Sequence, residues 1–328
     1  MCTAISVLAD GEHYFGRNLD FEYGFGEKIV ITPRKFPFSF RNGETFLAHY
    51  AMIGMAVVEN GYPLYFDAVN EKGLAVAGLH FPENAVYFPA DNGKENIASF
   101  ELIPWVLSQC ATVLDAKEKL RNLCITDEAF SKTLPPSPLH FIIADKTQVI
   151  TVEQTKHGLF VYDNPARVLT NNPPFPMQMF SLNNYLSLTP KEPENRFSEK
   201  LSLAPYSRGM GAMGLPGDLS SLSRFIKTCF LTQNAKWSRE ESAAVNQFFH
   251  ILYSVYQIKG AVSVNDAFEI THYTSCVNAS RGVYYYTTYE NGNVNAIDLF
   301  LEDLEQENLI VYELKKHQKV HIQNNKEL

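Results

Sequence analysis

A thiol sits directly behind the first methionine of the 328-residue chain, in Met1-Cys2-Thr3-Ala4. Loss of Met1, expected where the second residue is small, would leave a sulfur nucleophile and a free α-amine on one residue. An α-amine ordinarily titrates at roughly 7.7 to 8.0, so it can take the thiol proton without a histidine partner. Thiols are strong nucleophiles, and a covalent intermediate splits amide hydrolysis into acylation and deacylation. Read alone, a cysteine at position 2 is also compatible with no chemical role.

Phe15-Gly16-Arg17-Asn18-Leu19-Asp20-Phe21 follows, with an Arg and an Asp three apart. A tight hairpin would bring both back beside Cys2. There an Asp would orient the α-ammonium by accepting its hydrogen bonds, and an Arg would favour the thiolate. The competing reading of Arg17 and Asp20 is an exposed ion pair worth little to stability.

Other chemistries find little support. The nine histidines are dispersed, with no HExxH or other compact ligand set, so no metal is expected. Cys2, Cys110, Cys124, Cys229 and Cys276 are odd in number, scattered and without a CxxC. They fit reduced thiols, four of them filling the core. No GxxxxGK[ST] loop is present, and no cofactor is expected. The 28 Lys and Arg against 36 Asp and Glu give a net charge of -8 with no dense basic run, which argues against nucleic acid as a partner. Recognition of an anionic ligand would then rest on a few local arginines. No stretch reaches about 18 apolar residues, and the opening lacks a basic start followed by an apolar run. A cytoplasmic protein with no membrane partner is expected.

With 45% hydrophobic and 13% aromatic residues spread along the chain, there is material for a sizeable core, and one domain over residues 1–328 is expected. Residues 2–9 and 13–18 read as strands around an Asp10-Gly11 turn, and Tyr65 to Leu79 as strands around Asn70-Glu71-Lys72-Gly73. The spacing of Leu102, Trp105, Val106, Val113, Ala116, Leu120 and Leu123 predicts two helices split near Ala111. A strand pair is expected over His140–Gln154 and Leu159–Tyr162, and a long excursion over Pro173–Ser207. Ser238 with Glu241 reads as a capping box ahead of the apolar face Val245, Phe248, Phe249, Leu252, Val255 and Tyr256. Gly282–Thr288 and Val294–Leu299 around Asn291-Gly292 read as a hairpin. Strands and helices fall in separate runs, which favours an α+β fold.

MCTA, FGRNLDFE, NEKGLAVAGLHFPENAVY, VLTNNPPF, GLPGDLSSLSRF and YTSC occur in that order over nearly the whole chain. This series closely resembles the choloylglycine hydrolase family, which comprises bile salt hydrolases and their penicillin V acylase relatives, and is most like the former. The resemblance implies a four-layered αββα N-terminal-nucleophile (Ntn) hydrolase fold with antiparallel sheets, and a homotetramer. It implies Cys2 as nucleophile with its own α-amine as base, Arg17 beside the thiol and Asp20 holding the amine. Asn171 would lend its side-chain N–H to an oxyanion hole, His80 its backbone N–H, and Arg224 positive charge near the nucleophile. Taken alone, Asn171 reads as a turn residue ahead of Pro173.

His80 is a departure, since bile salt hydrolases usually carry Asn there and penicillin V acylases Tyr. The backbone donor survives, so the change bears on substrate preference. Leu19, Phe25, Phe130 and Leu134 are candidates for an apolar steroid cradle. Arg208, in Tyr206-Ser207-Arg208-Gly209-Met210-Gly211, could pair with a taurine sulfonate or glycine carboxylate, with taurine the preferred expectation. The implied activity is cleavage of glycine- or taurine-conjugated bile salts through a Cys2 thioester. The alternatives are a penicillin V acylase or other N-acyl amidase, and a non-catalytic redox or ligand-binding thiol protein. The last leaves Arg17, Asp20, Asn171 and Arg224 without a joint purpose.

Overall fold

The computed structural model describes residues 1–324. It opens with β1 (Cys2–Ala9) and β2 (Glu12–Phe21), joined by Asp10 and Gly11 at φ 48° and 88°. A two-residue turn of this hand matches the twist of the flanking strands, and glycine takes its positive φ at little cost. The turn sets the register, which runs from Ala9↔Glu12 through Ala4↔Arg17 to Cys2↔Leu19. Because successive side chains alternate, Cys2, Ala4, Arg17 and Leu19 share one face, and Thr3, Asn18 and Asp20 the other. Gly16 permits the close approach of the neighbouring strand, since a Cβ there would lie 2.1 Å from the Ser275 carbonyl oxygen.

Next come β3 (Lys28–Thr32), β4 (Met52–Glu59), β5 (Tyr62–Asn70) and β6 (Ala75–His80). The Asn70 side chain holds the β5–β6 turn, accepting from Lys72 N and Leu74 N while donating to the carbonyls of Leu107 and Cys110. β7 (Glu95–Ala98), α1 (Leu102–Gln109), α2 (Val113–Leu120) and β8 (Leu123–Thr126) follow. The two helices part at Cys110–Thr112, where Thr112 caps α2. Leu123, assigned to the helix by its spacing, instead begins β8, which pairs in parallel with β7.

The rest of the chain forms β9 (Leu139–Ala144), β10 (Val149–Thr155), β11 (Gly158–Asp163) and β12 (Val168–Leu169). Then come α3 (Phe175–Ser181), α4 (Ser221–Asn234), α5 (Glu241–Tyr253), β13 (Ile270–Asn278), β14 (Val283–Thr288), β15 (Asn295–Asp298) and β16 (Ile310–Glu313). Three sequence expectations are corrected. Ser238 does not cap α5: it accepts only from Glu240 N, and Glu241 turns its carboxylate to Asn278, Arg281 and Tyr285. The helix ends at Tyr253, so Val255 and Tyr256 lie beyond it. Asn291-Gly292 is not a two-residue turn, because pairing stops at Tyr286↔Asn295 and Asn291 is buried with its amide on the Lys315 carbonyl. The excursion contains α3, and Ser221–Phe225, the end of the GLPGDLSSLSRF motif, folds as the start of α4, which periodicity did not reveal.

The strands make a six-stranded sheet, β12-β1-β2-β13-β14-β15, and an eight-stranded sheet, β11-β10-β9-β6-β5-β4-β3-β16. Neighbours within both are antiparallel. Trp105, Val106, Val113 and Leu120 of α1 and α2 pack with Val76, Phe141 and Ile143 on the outer face of the larger sheet. Phe225 and Ile226 of α4 join Phe248 and Leu252 of α5 in the core that covers the smaller one. The result is an αββα sandwich, the layering that the family resemblance implies. Among the described residues, no helix is long and apolar enough to cross a membrane.

His13 of β2 is buried, with Nε2 on Ser6 Oγ at 3.0 Å and Nδ1 unpartnered among the described residues. Burial, reinforced by Arg167, lowers its pKa from 6.5 to about 4. The unfolded chain therefore binds this proton more readily than the fold does. The stability that His13 contributes is complete above 6.5 and is lost as pH falls toward about 4. Chemical unfolding of the native chain and of His13→Gln at pH 7 and pH 4 should show the native chain losing about 3 kcal/mol more than the variant.

Candidate active site

Cys2, at the start of β1, is 3% exposed and points between the two sheets. On the same face, Arg17 donates from Nη2 to Cys2 Sγ at 2.5 Å. Its remaining donors are held by backbone carbonyls: Nε by Asn18 at 3.3 Å and Nη1 by Phe66 at 3.2 Å and by Gly78. The fully buried guanidinium thus has no freedom to swing away from the sulfur. Burial alone would lower its pKa, but Cys2, Tyr273, Asp67 and Asp20 together raise it, so it remains a cation. Asp67 is itself buried and accepts from Tyr273 Oη at 2.7 Å, Tyr284 Oη at 2.5 Å and Ser275 Oγ at 3.4 Å.

The backbone of Cys2 meets a second buried arginine. Arg224 of α4 donates from Nη1 to the Cys2 carbonyl and to Thr3 Oγ1, from Nη2 to Asn171 Oδ1 at 2.7 Å, and from Nε to the Leu219 carbonyl at 2.9 Å. Asn171 Oδ1 also accepts from Cys2 N at 2.7 Å, and Nδ2 donates to the His80 carbonyl at 2.7 Å. One side chain therefore joins Cys2, Arg224 and the end of β6. An amide nitrogen carries two protons, so one of the two on Nδ2 is left for a ligand.

Asp20 lies on the Arg224 side of β2. Its Oδ1 accepts from Thr271 Oγ1 at 2.6 Å, while Oδ2 is buried and unpartnered among the described residues. Burial pushes its carboxyl up to about 6, against the opposing pull of Arg224, the terminal ammonium and Thr271. The ammonium of Met1 donates to the Asp20 carbonyl at 2.6 Å and pairs with the buried carboxylate of Glu269. Asp20 N returns a bond to the Met1 carbonyl at 2.9 Å. Met1 thus extends the β1–β2 ladder over the place where a free Cys2 amine would lie.

Leu19 pairs with Cys2 across the strands and is buried. His80 is half-buried, its pKa lowered chiefly by burial, and its ring lies 6.1 Å from that of Phe21. Phe25, 38% exposed, packs on Phe21, Tyr23 and Phe66, so an aromatic group borders His80. Phe130 packs on Tyr62 and Phe100 beside the α1 layer, with the Arg41 guanidinium 5.7 Å from its ring. Leu134 closes a turn with Ser131, and Arg208 is exposed between α3 and α4. Among the described residues, Phe130, Leu134 and Arg208 make no hydrogen bond, ion pair or ring contact with Cys2, His80 or Asn171.

Sequence reasoning missed Asp67, Thr271 and Glu269. Asp67 could have been noticed as a lone acid in the apolar strand Tyr65-Phe66-Asp67-Ala68-Val69. Glu269 and Thr271 carried no local signal, because their partners lie at the other end of the chain.

The family model for linear amide C–N hydrolases of the choloylglycine hydrolase family matches residues 2–312. The chain belongs to this family. A bile salt hydrolase/transferase of Lactiplantibacillus plantarum is 49% identical over 316 residues, covering 96% of the chain and 97% of the relative. One from Clostridium perfringens is 39% identical over 96% of the chain and 98% of its own length. A solved mutant of the conjugated bile acid hydrolase from Clostridium perfringens superposes with a TM-score of 0.91 at 38% identity, covering 99% of this chain and all of that one. Penicillin V acylase from Agrobacterium tumefaciens shares the fold, with a TM-score of 0.74 at 20% identity over 95% of this chain and 91% of its own. The chain is thus a linear-amide hydrolase of the choloylglycine type.

Arg224→Met would leave Asn171 Oδ1, the Cys2 carbonyl and Thr3 Oγ1 short of a buried donor. Urea unfolding should show a loss of about 3 kcal/mol, with little recovered by Arg224→Lys, whose single ammonium cannot reproduce the fork. A loss under about 1 kcal/mol would show that the fork contributes little to the fold.

Proposed function

We propose that the protein hydrolyses the amide bond of glycine- or taurine-conjugated bile salts, with Cys2, freed of Met1, as nucleophile. The observation that carries this is the thiol held by Arg17 while its own backbone amide faces Asn171, with Asp20 Oδ2 buried and unpartnered among the described residues on the Arg224 side of β2. Once Met1 is gone, the α-ammonium of Cys2 gains the acceptors it needs in Asn171 Oδ1 and Asp20. The full-length likeness to bile salt hydrolases supplies the substrate class.

In this reading the α-amine takes the Cys2 proton and the sulfur, its charge balanced by Arg17, attacks the amide carbonyl. The oxyanion accepts from the second Asn171 Nδ2 proton and the His80 backbone N–H. The α-ammonium then protonates the departing nitrogen, releasing glycine or taurine and leaving a Cys2 thioester. A water, deprotonated by the same amine, attacks the thioester and frees the bile acid. Arg224 keeps Asn171 and the Cys2 carbonyl in place. The acyl group would lie against Leu19, His80 and Phe25, with Phe130 and Leu134 as further candidates for the apolar cradle and Arg208 as the candidate partner of the head-group acid.

The chain is read as one domain that assembles as a homotetramer. Phe180 of α3 and Leu186, Phe197 and Tyr206 in the excursion after it are all more than 70% exposed, a surface that self-association would cover. The aromatic ring group beside His80 favours one second reading, an acylase for phenoxyacetyl amides such as penicillin V.

Parallel incubation with taurocholate, glycocholate and penicillin V, with intact mass recording Met1 loss, decides between these. Release of taurine or glycine above phenoxyacetate is expected, with taurine ahead, and dominant penicillin cleavage would overturn the substrate reading. Asn171→Ala should lower kcat by about 10²- to 10³-fold with KM little changed. A change confined to KM would remove Asn171 from the oxyanion site.

A further inference from the structure

Beneath the two segments that carry His80 and Asn171 lies a buried ionisable pair that the reaction above does not use. His140 of β9 is 0% exposed and Glu153 of β10 is 1% exposed. His140 Nδ1 lies 3.0 Å from Glu153 Oε1, and His140 Nε2 lies 2.8 Å from the Thr170 carbonyl oxygen. A carbonyl only accepts, so Nε2 carries a proton, and the Nδ1 to Oε1 contact needs one more, on either atom. The pair therefore shares a proton in an apolar surrounding, and Glu153 Oε2 has no partner among the described residues.

The same two side chains touch both walls of the candidate oxyanion site. The ring of Phe81, which follows His80, stacks on the His140 imidazole at 4.2 Å with an interplanar angle of 5°. Thr170, held by His140 Nε2, precedes Asn171. Glu153 Oε1 also accepts from Phe175 N at 2.9 Å, fixing the start of α3. From α3, Gln178 Nε2 reaches back to the carbonyls of Asn171 at 2.6 Å and Pro173 at 2.8 Å. The β6 end and the 170–175 segment, remote in sequence, are thus gauged against a single ring.

Burying such a pair is costly, and apolar residues of similar volume would stabilise the fold at least as well. What an apolar pair could not supply is a directional donor to the Thr170 carbonyl and an acceptor for Phe175 N. We propose that His140 and Glu153 are positioning residues, which set the distance between the His80 backbone and the Asn171 amide. This rests on the amidase reading above. Neither residue touches the reacting atoms. Their effect would pass through Thr170–Asn171 on one side and Phe81–His80 on the other.

The test compares the native enzyme with His140→Phe, which keeps a stacked ring but removes both polar contacts, and with His140→Gln, whose amide can still donate to Thr170. Taurocholate turnover is measured together with acylation of Cys2 by p-nitrophenyl acetate, which forms an oxyanion without needing a steroid pocket. Alkylation of Cys2 by iodoacetamide reports the nucleophile alone. In His140→Phe, kcat and ester acylation should both fall by about 100-fold, the scale of a small misplacement at a reacting centre, with KM within about threefold. Alkylation should stay within about twofold, since the thiol and its Arg17 contact are untouched, and His140→Gln should regain about tenfold of the loss. A kcat within about threefold of native, or an alkylation rate that falls in step with kcat, would overturn the proposal. Should His140→Phe not fold, Glu153→Gln decides by the same readings. A native enzyme inert to conjugates but acylated by the ester would sink the substrate reading while leaving the pair testable.

Discussion

Two guanidinium groups buried without solvent around one N-terminal residue constrain this molecule more than any other interaction in it. A buried charge is tolerable only where hydrogen bonds and opposite charge replace its water, and each arginine here meets that demand with backbone carbonyls and fixed side chains. Arg17 uses carbonyls of Asn18, Phe66 and Gly78 and leaves one nitrogen for the thiol. Because Phe66 and Gly78 belong to the eight-stranded sheet and Arg17 to the six-stranded one, the guanidinium bridges the two sheets. Arg224 couples the helical layer to the first strand in the same way. The spacing of three of the four layers is thus referred to the position of Cys2.

That arrangement divides the work of one residue between two faces. The Cys2 side chain enters the space between the sheets, where Arg17 and, behind it, Asp67 set the charge. Its backbone faces Asn171, Arg224 and Asp20, where an α-amine would find acceptors. The alternation of a β-strand achieves the separation without any special loop. It also accounts for the position of Met1, whose ammonium is held by Glu269 and the Asp20 carbonyl on the amine side, away from the thiol.

How far the site was legible depended on sequence distance. The Asp10-Gly11 turn fixes the β1–β2 register, so the neighbourhood of Cys2 and Arg17 could be reasoned from local rules. Asn171 and Arg224 could not, because their partners are far away in the chain and nothing in VLTN or SRF has a period or spacing that points to Cys2. They came from resemblance to a family. Asp67 hid in a strand whose apolar pattern it interrupts only once. The misread elements share a cause as well. Leu123, Ser238 and Asn291-Gly292 each satisfy a local rule, and in each case tertiary partners override it: β7 takes Leu123, Asn278 and Tyr285 take Glu241, and the Lys315 carbonyl takes Asn291.

Turnover in this mechanism requires that Cys2, with Met1 removed, carry the acyl group. Rapid acid quenching of the enzyme with excess taurocholate, followed by mass analysis of its N-terminal peptide, tests this directly. The peptide should begin at Cys2, bear one cholyl group in a linkage cleaved by hydroxylamine, and carry no acyl group in Cys2→Ala. Turnover of taurocholate by protein that retains Met1, or an acyl group found on any residue other than Cys2, would contradict it.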